Sequence, residues 1–248
     1  MGKVKSLFQI NGTIDGLNFY TVNGQQYVRK AGGGFNGKKI KSDPSMVKVR
    51  QNGEEFGMVS KLSRAFRLMV EPLFPPSYSG GLHNRLVKLF SGIKNLDVTS
   101  ERGKRNVAVG LQHETSKPLL IGFSIPEEAP KGATLHDHVE MDWSSSTLMI
   151  RSTFRVNHHL PTTVKAISVG VGLIRLNAED LTFEMIMSEP IMVSSVAKFP
   201  SSLTVPEPAE KSSGDFVFVV LQQYEEYQGM LQPLQLKQSV YFEVVAVR

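Results

Sequence analysis

The sequence predicts an α+β protein, in which a β-hairpin and two helices precede an antiparallel β-sandwich. Three observations support this fold class. An Asn-Gly pair at Asn23 and Gly24 lies between β-branched and aromatic residues, which is a strong signal for a hairpin turn. Apolar residues then recur at helical spacing as far as residue 93, and from Pro118 onward they recur with a period of two.

The predicted hairpin covers residues 14–29. Both central positions of a type I′ turn need a positive φ, which Asn and Gly adopt at low cost. Gly12 and Gly16 lie on its first arm, where glycine usually marks a bulge, a bend or the close approach of another backbone. We therefore interpret the hairpin as a candidate assembly interface. Its residues are Gly12, Gly16, Phe19, Tyr20, Asn23, Gly24, Tyr27 and Arg29.

A loop rich in glycine and lysine follows the hairpin. Gly32 and Gly37 have the spacing of a phosphate-binding loop and Lys38 comes next, but Lys39 replaces the Ser or Thr that would bind magnesium. The loop therefore predicts a basic surface and not a nucleotide site. We assign a candidate site for an anionic partner to this loop and the helix after it. Its residues are Lys30, Lys38, Lys39, Lys41, Arg50, Arg64 and Arg67.

The first helix is expected to begin at Asp43 and Pro44, because Asp43 can cap free amides and proline fits the first helical position. Its apolar stripe consists of Met46, Val49, Phe56, Val59, Leu62, Phe66 and Met69. A run rich in proline and glycine at 71–81 ends this helix. A second helix is predicted over 82–93.

The N-terminal quarter of the chain resembles an uncharacterised family of hypothetical proteins abundant in Bacteroidota. That family pairs a G-x-(I/V)-x-G-(L/N)-x-F-Y hairpin, ending in V-R-K, with a D-P…R-x-N-x-x-(E)-F helix. The match is carried by Gly12, Gly16, Phe19, Tyr20, Gly24, Val28, Arg29, Asp43, Pro44, Arg50, Asn52 and Phe56. The resemblance implies a shared lineage and no particular activity.

Strand-like runs fill the second half of the chain, at 119–125, 147–156, 163–176, 181–187, 216–221 and 239–247. In the third run, Ile167, Val169 and Val171 alternate with Gly170 and other small residues, which predicts one buried face and one closely approached face. Several strands separated by turn-rich connections favour a sandwich. We therefore predict a basic hairpin and helical module at 1–115 and a sandwich domain at 116–248.

The net charge of +5 is unevenly distributed. Residues 1–105 contain 18 Lys and Arg against 7 Asp and Glu, a net of +11, whereas residues 106–248 contain 10 against 16, a net of −6. This asymmetry indicates either an anionic partner for the first part or head-to-tail attraction between copies.

The composition argues against most catalytic chemistry. The absence of cysteine excludes disulfides and thiol catalysis. His136 and His138 belong to the one grouping suited to a metal, together with Asp137, Glu140, Asp142, His158 and His159. Its spacing does not match that of a cupin, so we expect solvated histidines, no metal and no cofactor. No catalytic motif is present, and we expect a protein that is not an enzyme.

We expect a cytoplasmic protein, because the N-terminus lacks a signal-peptide pattern and no run approaches the roughly 18 apolar residues of a membrane span. An assembly could still carry it out of the cell. The favoured hypothesis is a structural subunit of a homo-oligomer, such as a phage-tail, injection-machine or filament component, associating through the hairpin and sheet edges. The alternative is a nucleic-acid-binding protein that uses the basic half, although aromatic residues are not interleaved with its cations.

Overall fold

The computed structural model describes residues 2–4, 8–32, 37–76, 81–127, 134–154, 161–177, 180–194, 199–206 and 214–248. His158 and His159 lie outside these residues. The chain forms two compact units, 1–50 and 51–248, so it divides at 50/51 and not at the predicted 115/116. The reason is that the helices beyond residue 50 share one hydrophobic core with the later strands.

The first unit contains a four-stranded antiparallel sheet. Its strands are β1 (Gly2–Lys3), β2 (Gly12–Ile14), β3 (Leu17–Val22) and β4 (Gln25–Lys30), in the order β1-β4-β3-β2. Asn23 and Gly24 have φ values of 50° and 77° between paired Val22 and Gln25, which confirms the predicted hairpin. Gly16 forms a second turn of this kind with Asp15, so its interpretation as a bulge or bend is wrong.

Two helices follow, α1 (Gly37–Ser42) and α2 (Val47–Val70), with a 3-10 turn at Pro44–Met46 between them. The Asp43 carboxylate accepts a hydrogen bond of 2.8 Å from the Ser45 amide, as the capping pattern predicts. α2 begins in the first unit and continues in the second. The prediction that Phe56 belongs to the apolar stripe is wrong: its side chain is 59% exposed, whereas Glu55 beside it is buried.

The second unit is built on a seven-stranded antiparallel sheet with a three-stranded sheet beside it. The large sheet contains β5 (Ser124–Ile125), β8 (Val164–Asn177), β9 (Thr182–Met187), β10 (Ile191–Ser194), β12 (Phe216–Tyr227), β13 (Met230–Pro233) and β14 (Val240–Val247). The small sheet contains β6 (Val139–Asp142), β7 (Thr147–Ile150) and β11 (Ser202–Thr204). The sheet-rich C-terminal region confirms the predicted α+β class.

Helices cover one face of the large sheet. They are α2, α3 (Leu82–Lys94), α4 (Val107–Leu111) and α5 (Lys117–Leu120). Phe66 of α2 lies at the centre of this core, with five phenylalanine rings at centroid distances of 5.3–6.4 Å. The strand predicted at 119–125 is wrong for most of its length, because α5 occupies 117–120 and the strand β5 that pairs with β14 contains Ser124 and Ile125 alone.

The small sheet covers the opposite face, where Leu148 and Leu203 share a core with Val171 and Val219. β8, β14 and residues 216–221 of β12 are therefore buried on both faces. The closely approached face predicted for β8 is confirmed at Gly172, where a Cβ atom would lie 2.5 Å from the Phe218 ring.

Among the described residues, no helix is both long and apolar enough to cross a membrane.

Candidate functional site

The sheet of the first unit has one apolar face. Strand register places Ile14, Leu17, Phe19 and Val28 on the same side of the sheet, because directly opposed residues share a face. Lys30, opposite Leu17, and Gln26, opposite Thr21, lie on this side as well. Ile14 is 53% exposed and Leu17 is 42% exposed. Among the described residues of this unit, Gln26 is the only buried residue, so no apolar side chain is buried. We call Ile14, Leu17, Phe19 and Val28 the apolar face.

The other side of the sheet carries aromatic and cationic groups. The rings of Tyr20 and Tyr27 stack at a centroid distance of 5.9 Å, and the Arg29 guanidinium lies 5.5 Å from the centre of the Tyr20 ring. The structure therefore joins the predicted assembly residues in one sheet. Phe19 lies on the apolar face, Tyr20, Tyr27 and Arg29 lie on the opposite face, and Gly12, Gly16, Asn23 and Gly24 lie in the edge strand or the turns.

The predicted anionic-partner residues fall into two groups. Lys30, Lys38, Lys39, Lys41 and Arg50 belong to the first unit, whereas Arg64 and Arg67 belong to the second. The four lysines are exposed. The Arg50 guanidinium donates hydrogen bonds to the carbonyl oxygens of Ile40 and Asp43, at 2.6 and 3.0 Å, so it holds α1 against the start of α2.

The two units differ in charge. Residues 1–50 contain nine Lys and Arg against two Asp and Glu, a net of +7, and residues 51–248 contain 19 against 21, a net of −2. The first unit is therefore much more basic for its size than the whole chain. Its sheet and its α1 helix present this charge on exposed side chains.

The second unit has an exposed acidic hairpin, formed by residues 224–233 of β12 and β13. Gln228 and Gly229, with φ values of 52° and 78°, form its tight turn. Tyr227, Met230 and Leu231 are exposed apolar residues near the tip. Glu225 and Glu226 lie in the strand that leads into the turn. In the described part of the chain, β13 pairs only with β12, which leaves its outer edge open.

A cavity of about 880 Å³ lies between the C-terminal half of α2 and the start of α3. We call it the α2–α3 cavity. Its cationic side chains include Arg64 and Arg67, which the sequence singled out, and Lys61, which it did not; His83 also lines the cavity. The signal for Lys61 was available, because residues 61, 64 and 67 share one side of a helix. The apolar part of its lining includes Val70, Phe74 and Leu82.

Glu55 is the centre of a buried ionic network. Its carboxylate accepts hydrogen bonds of 2.8 and 2.7 Å from Arg105 and one of 2.8 Å from the Gly103 amide, and it pairs with the Lys94 ammonium. The Arg105 hydrogen bonds, supported by Lys94, lower the pKa of Glu55 to about 2. All of these groups are satisfied within the protein, so the network joins α2 and α3 to the loop before α4.

The prediction of a solvated histidine is wrong for His136. Its Nδ1 atom bonds to the carboxylate of fully buried Glu243, which also accepts 2.8 and 3.1 Å hydrogen bonds from the Leu135 and His136 amides. The Tyr241 hydroxyl donates to the same carboxylate at 2.7 Å. Burial, together with Glu243, raises the pKa of Tyr241. These bonds fix the 135–136 segment to β14. No three potential metal ligands come together within the described ranges.

The chain matches no known family model, no curated protein and no solved structure. The resemblance to the Bacteroidota family therefore stays a prediction. Its motif residue Phe56 is exposed on α2, and Asn52 one turn earlier accepts a 3.0 Å hydrogen bond from Arg102.

Proposed function

We propose that the protein is a non-catalytic assembly subunit that associates with copies of itself through its N-terminal sheet. The observation that carries this proposal is the exposed apolar face on a unit without a buried apolar side chain among its described residues. An antiparallel sheet of this kind needs a cover for its apolar side. Burying a side chain such as Leu17 or Phe19 contributes roughly 1.5 to 3 kcal/mol, which association can supply.

The acidic hairpin of a second copy is the cover that fits best. Glu225 and Glu226 complement a unit with nine basic and two acidic residues. The exposed apolar residues Tyr227, Met230 and Leu231 offer matching hydrophobic area. Since the hairpin and the N-terminal sheet are different surfaces, their contact is head-to-tail and continues from copy to copy into a ring or filament. Phage tails, injection machines and filaments are assemblies built from such contacts.

The test is the molar mass of the full-length protein in solution, measured by light scattering after size exclusion. We expect a large oligomer at tens of micromolar in low salt. Leu17→Lys should reduce it to a monomer, because a charge on the apolar face opposes burial. Thr13→Lys is the matched control, since Thr13 is exposed on the other face of the same sheet and receives the same charge.

A second variant tests the hairpin. Glu225→Lys with Glu226→Lys should weaken association, and added salt should weaken the wild-type contact, because the screening length falls from about 10 Å at 0.1 M to about 3 Å at 1 M. A wild-type protein that remains monomeric under all these conditions would refute the proposal.

Nucleic-acid binding is the alternative, and the exposed lysines Lys30, Lys38, Lys39 and Lys41 favour it. Contacts with phosphates give an affinity that falls steeply with salt. If the monomeric Leu17→Lys variant binds duplex DNA with such a slope, and replacing the four lysines by glutamine removes the binding, this alternative replaces assembly as the function of the basic unit.

A further inference from the structure

We propose that the α2–α3 cavity binds a small amphipathic anion, namely a carboxylate attached to an apolar chain. The cavity volume of about 880 Å³ lies within the range of about 300 to 1,000 Å³ that is usual for small-molecule sites. The lining residues that the structure describes all belong to the second unit, so the site is formed within one compact body.

The cationic side of the cavity is formed by Lys61, Arg64 and Arg67. Like charges one turn apart destabilise a helix, so this arrangement does not serve the stability of α2. None of these three side chains forms an ion pair with a described residue. Among the described residues of the lining, Glu71 is the one acidic residue, which leaves an excess of positive charge facing the cavity.

The start of α3 adds to the same positive potential. Gly81 has a left-handed conformation with a φ of 80° and provides no side-chain cap for the 13-residue helix. The amides of the first turn, beginning with Leu82 and His83, therefore contribute partial positive charge at the cavity. A carboxylate fits this environment, because guanidinium groups bind it through two parallel hydrogen bonds.

The apolar side of the cavity determines the rest of the ligand. Phe74 is partly buried and Pro76 is exposed, so both present apolar surface to the cavity, whereas Val70, Pro75 and Leu82 are buried in its wall. An inorganic anion would leave this surface uncovered, and an uncharged chain would leave the cations without a partner. A molecule with a single anionic head and an apolar body satisfies both sides.

The probe for this site is decanoate, used below its micelle concentration and titrated into the full-length protein by calorimetry. We expect one decanoate per chain and chemical-shift changes at the Leu82 and His83 amides in NMR spectra. The double substitution Arg64→Gln and Arg67→Gln should weaken binding by about tenfold or more, because it removes the charge-assisted hydrogen bonds. Lys88→Gln should have no effect, since Lys88 is an exposed cation of α3 that does not line the cavity.

Decanol and inorganic phosphate test the two halves of the ligand separately, and each should bind much more weakly than decanoate. Circular dichroism checks that both variants keep the wild-type fold. Failure of decanoate to bind the wild type, equal binding by the double variant, or phosphate binding as tight as decanoate binding would each overturn the proposal.

Discussion

The two units of this chain manage their apolar residues in opposite ways. The second unit buries both faces of its large sheet, one under helices and one under a small sheet. The first unit has a sheet of four strands in which Ile14 and Leu17 stay exposed. Apolar residues on one side of a strand therefore indicate a surface that is buried in the functional state. The group that buries it belongs either to the same unit or to another molecule.

Replacing one phenylalanine in each unit should show this difference most clearly. Phe66→Ala should destabilise the second unit by about 3 to 5 kcal/mol, because it removes the ring at the centre of a buried aromatic cluster. Phe19→Ala in the monomeric Leu17→Lys background should cost less than about 1 kcal/mol, because its ring is only partly buried. Urea unfolding measures both changes, and equal costs would contradict the comparison.

Disrupting the ionic network of the second unit should also lower the free energy of unfolding. Glu55→Gln should cost about 3 to 5 kcal/mol in urea unfolding, because it leaves the buried Lys94 ammonium without its carboxylate. Glu54→Gln is the control, as Glu54 precedes it on α2 and is exposed. A cost no larger than that of the control would show that the network contributes little to stability.

The same network predicts a pH dependence. The pKa of Glu55 is lowered from 4.5 to about 2 in the folded protein, so its stabilising effect is fully present above the unfolded value. The difference in unfolding free energy between wild type and Glu55→Gln should therefore shrink as the pH falls below about 4.5 and approach its minimum near 2. A difference that stays constant over this range would rule out the ionised carboxylate as its source.

A change in the N-terminal turn should have a smaller effect than the loss of Glu55. Gly24→Val should destabilise the hairpin by about 1 to 2 kcal/mol, because Gly24 has a φ of 77° that a β-branched residue adopts at a cost. Gly53→Val is a useful comparison, since Gly53 is exposed in α2 and has open space around its Cβ position. Amide exchange in β3 and β4 measures the change, and unaltered exchange in the Gly24 variant would contradict it.

Local signals in the sequence predicted much of the fold. The Asn23-Gly24 turn and the Asp43 cap depend on neighbouring residues only, and both are present. Phe56 was misassigned because Glu55 beside it takes the buried position, where it pairs with Lys94 and Arg105, which are distant in sequence. The boundary between the two units differs from the predicted one for the same reason. Phe66 packs on strands beyond residue 180, and the residues near Phe66 in the sequence do not indicate this contact.

The candidate sites were predicted in part. The Asn23-Gly24 turn indicated the hairpin, and the basic residues of the first helix indicated Arg64 and Arg67, but which hairpin residues share a face was not predicted. The sequence did not reveal the α2–α3 cavity, because its shape depends on how the segment at 71–76 turns between two helices. The role of His136 was also hidden, since its partner Glu243 lies 107 residues away.

Another copy of the chain is proposed to cover the apolar face of the N-terminal sheet. Hydrogen exchange of the full-length protein, followed by mass spectrometry at high and low protein concentration, tests this contact most directly. We predict that amides of β3 and β4 lose protection on dilution, while those of β8 and β14, which lie outside the proposed contact, keep it. Protection of β3 and β4 that is strong and independent of concentration would contradict the claim.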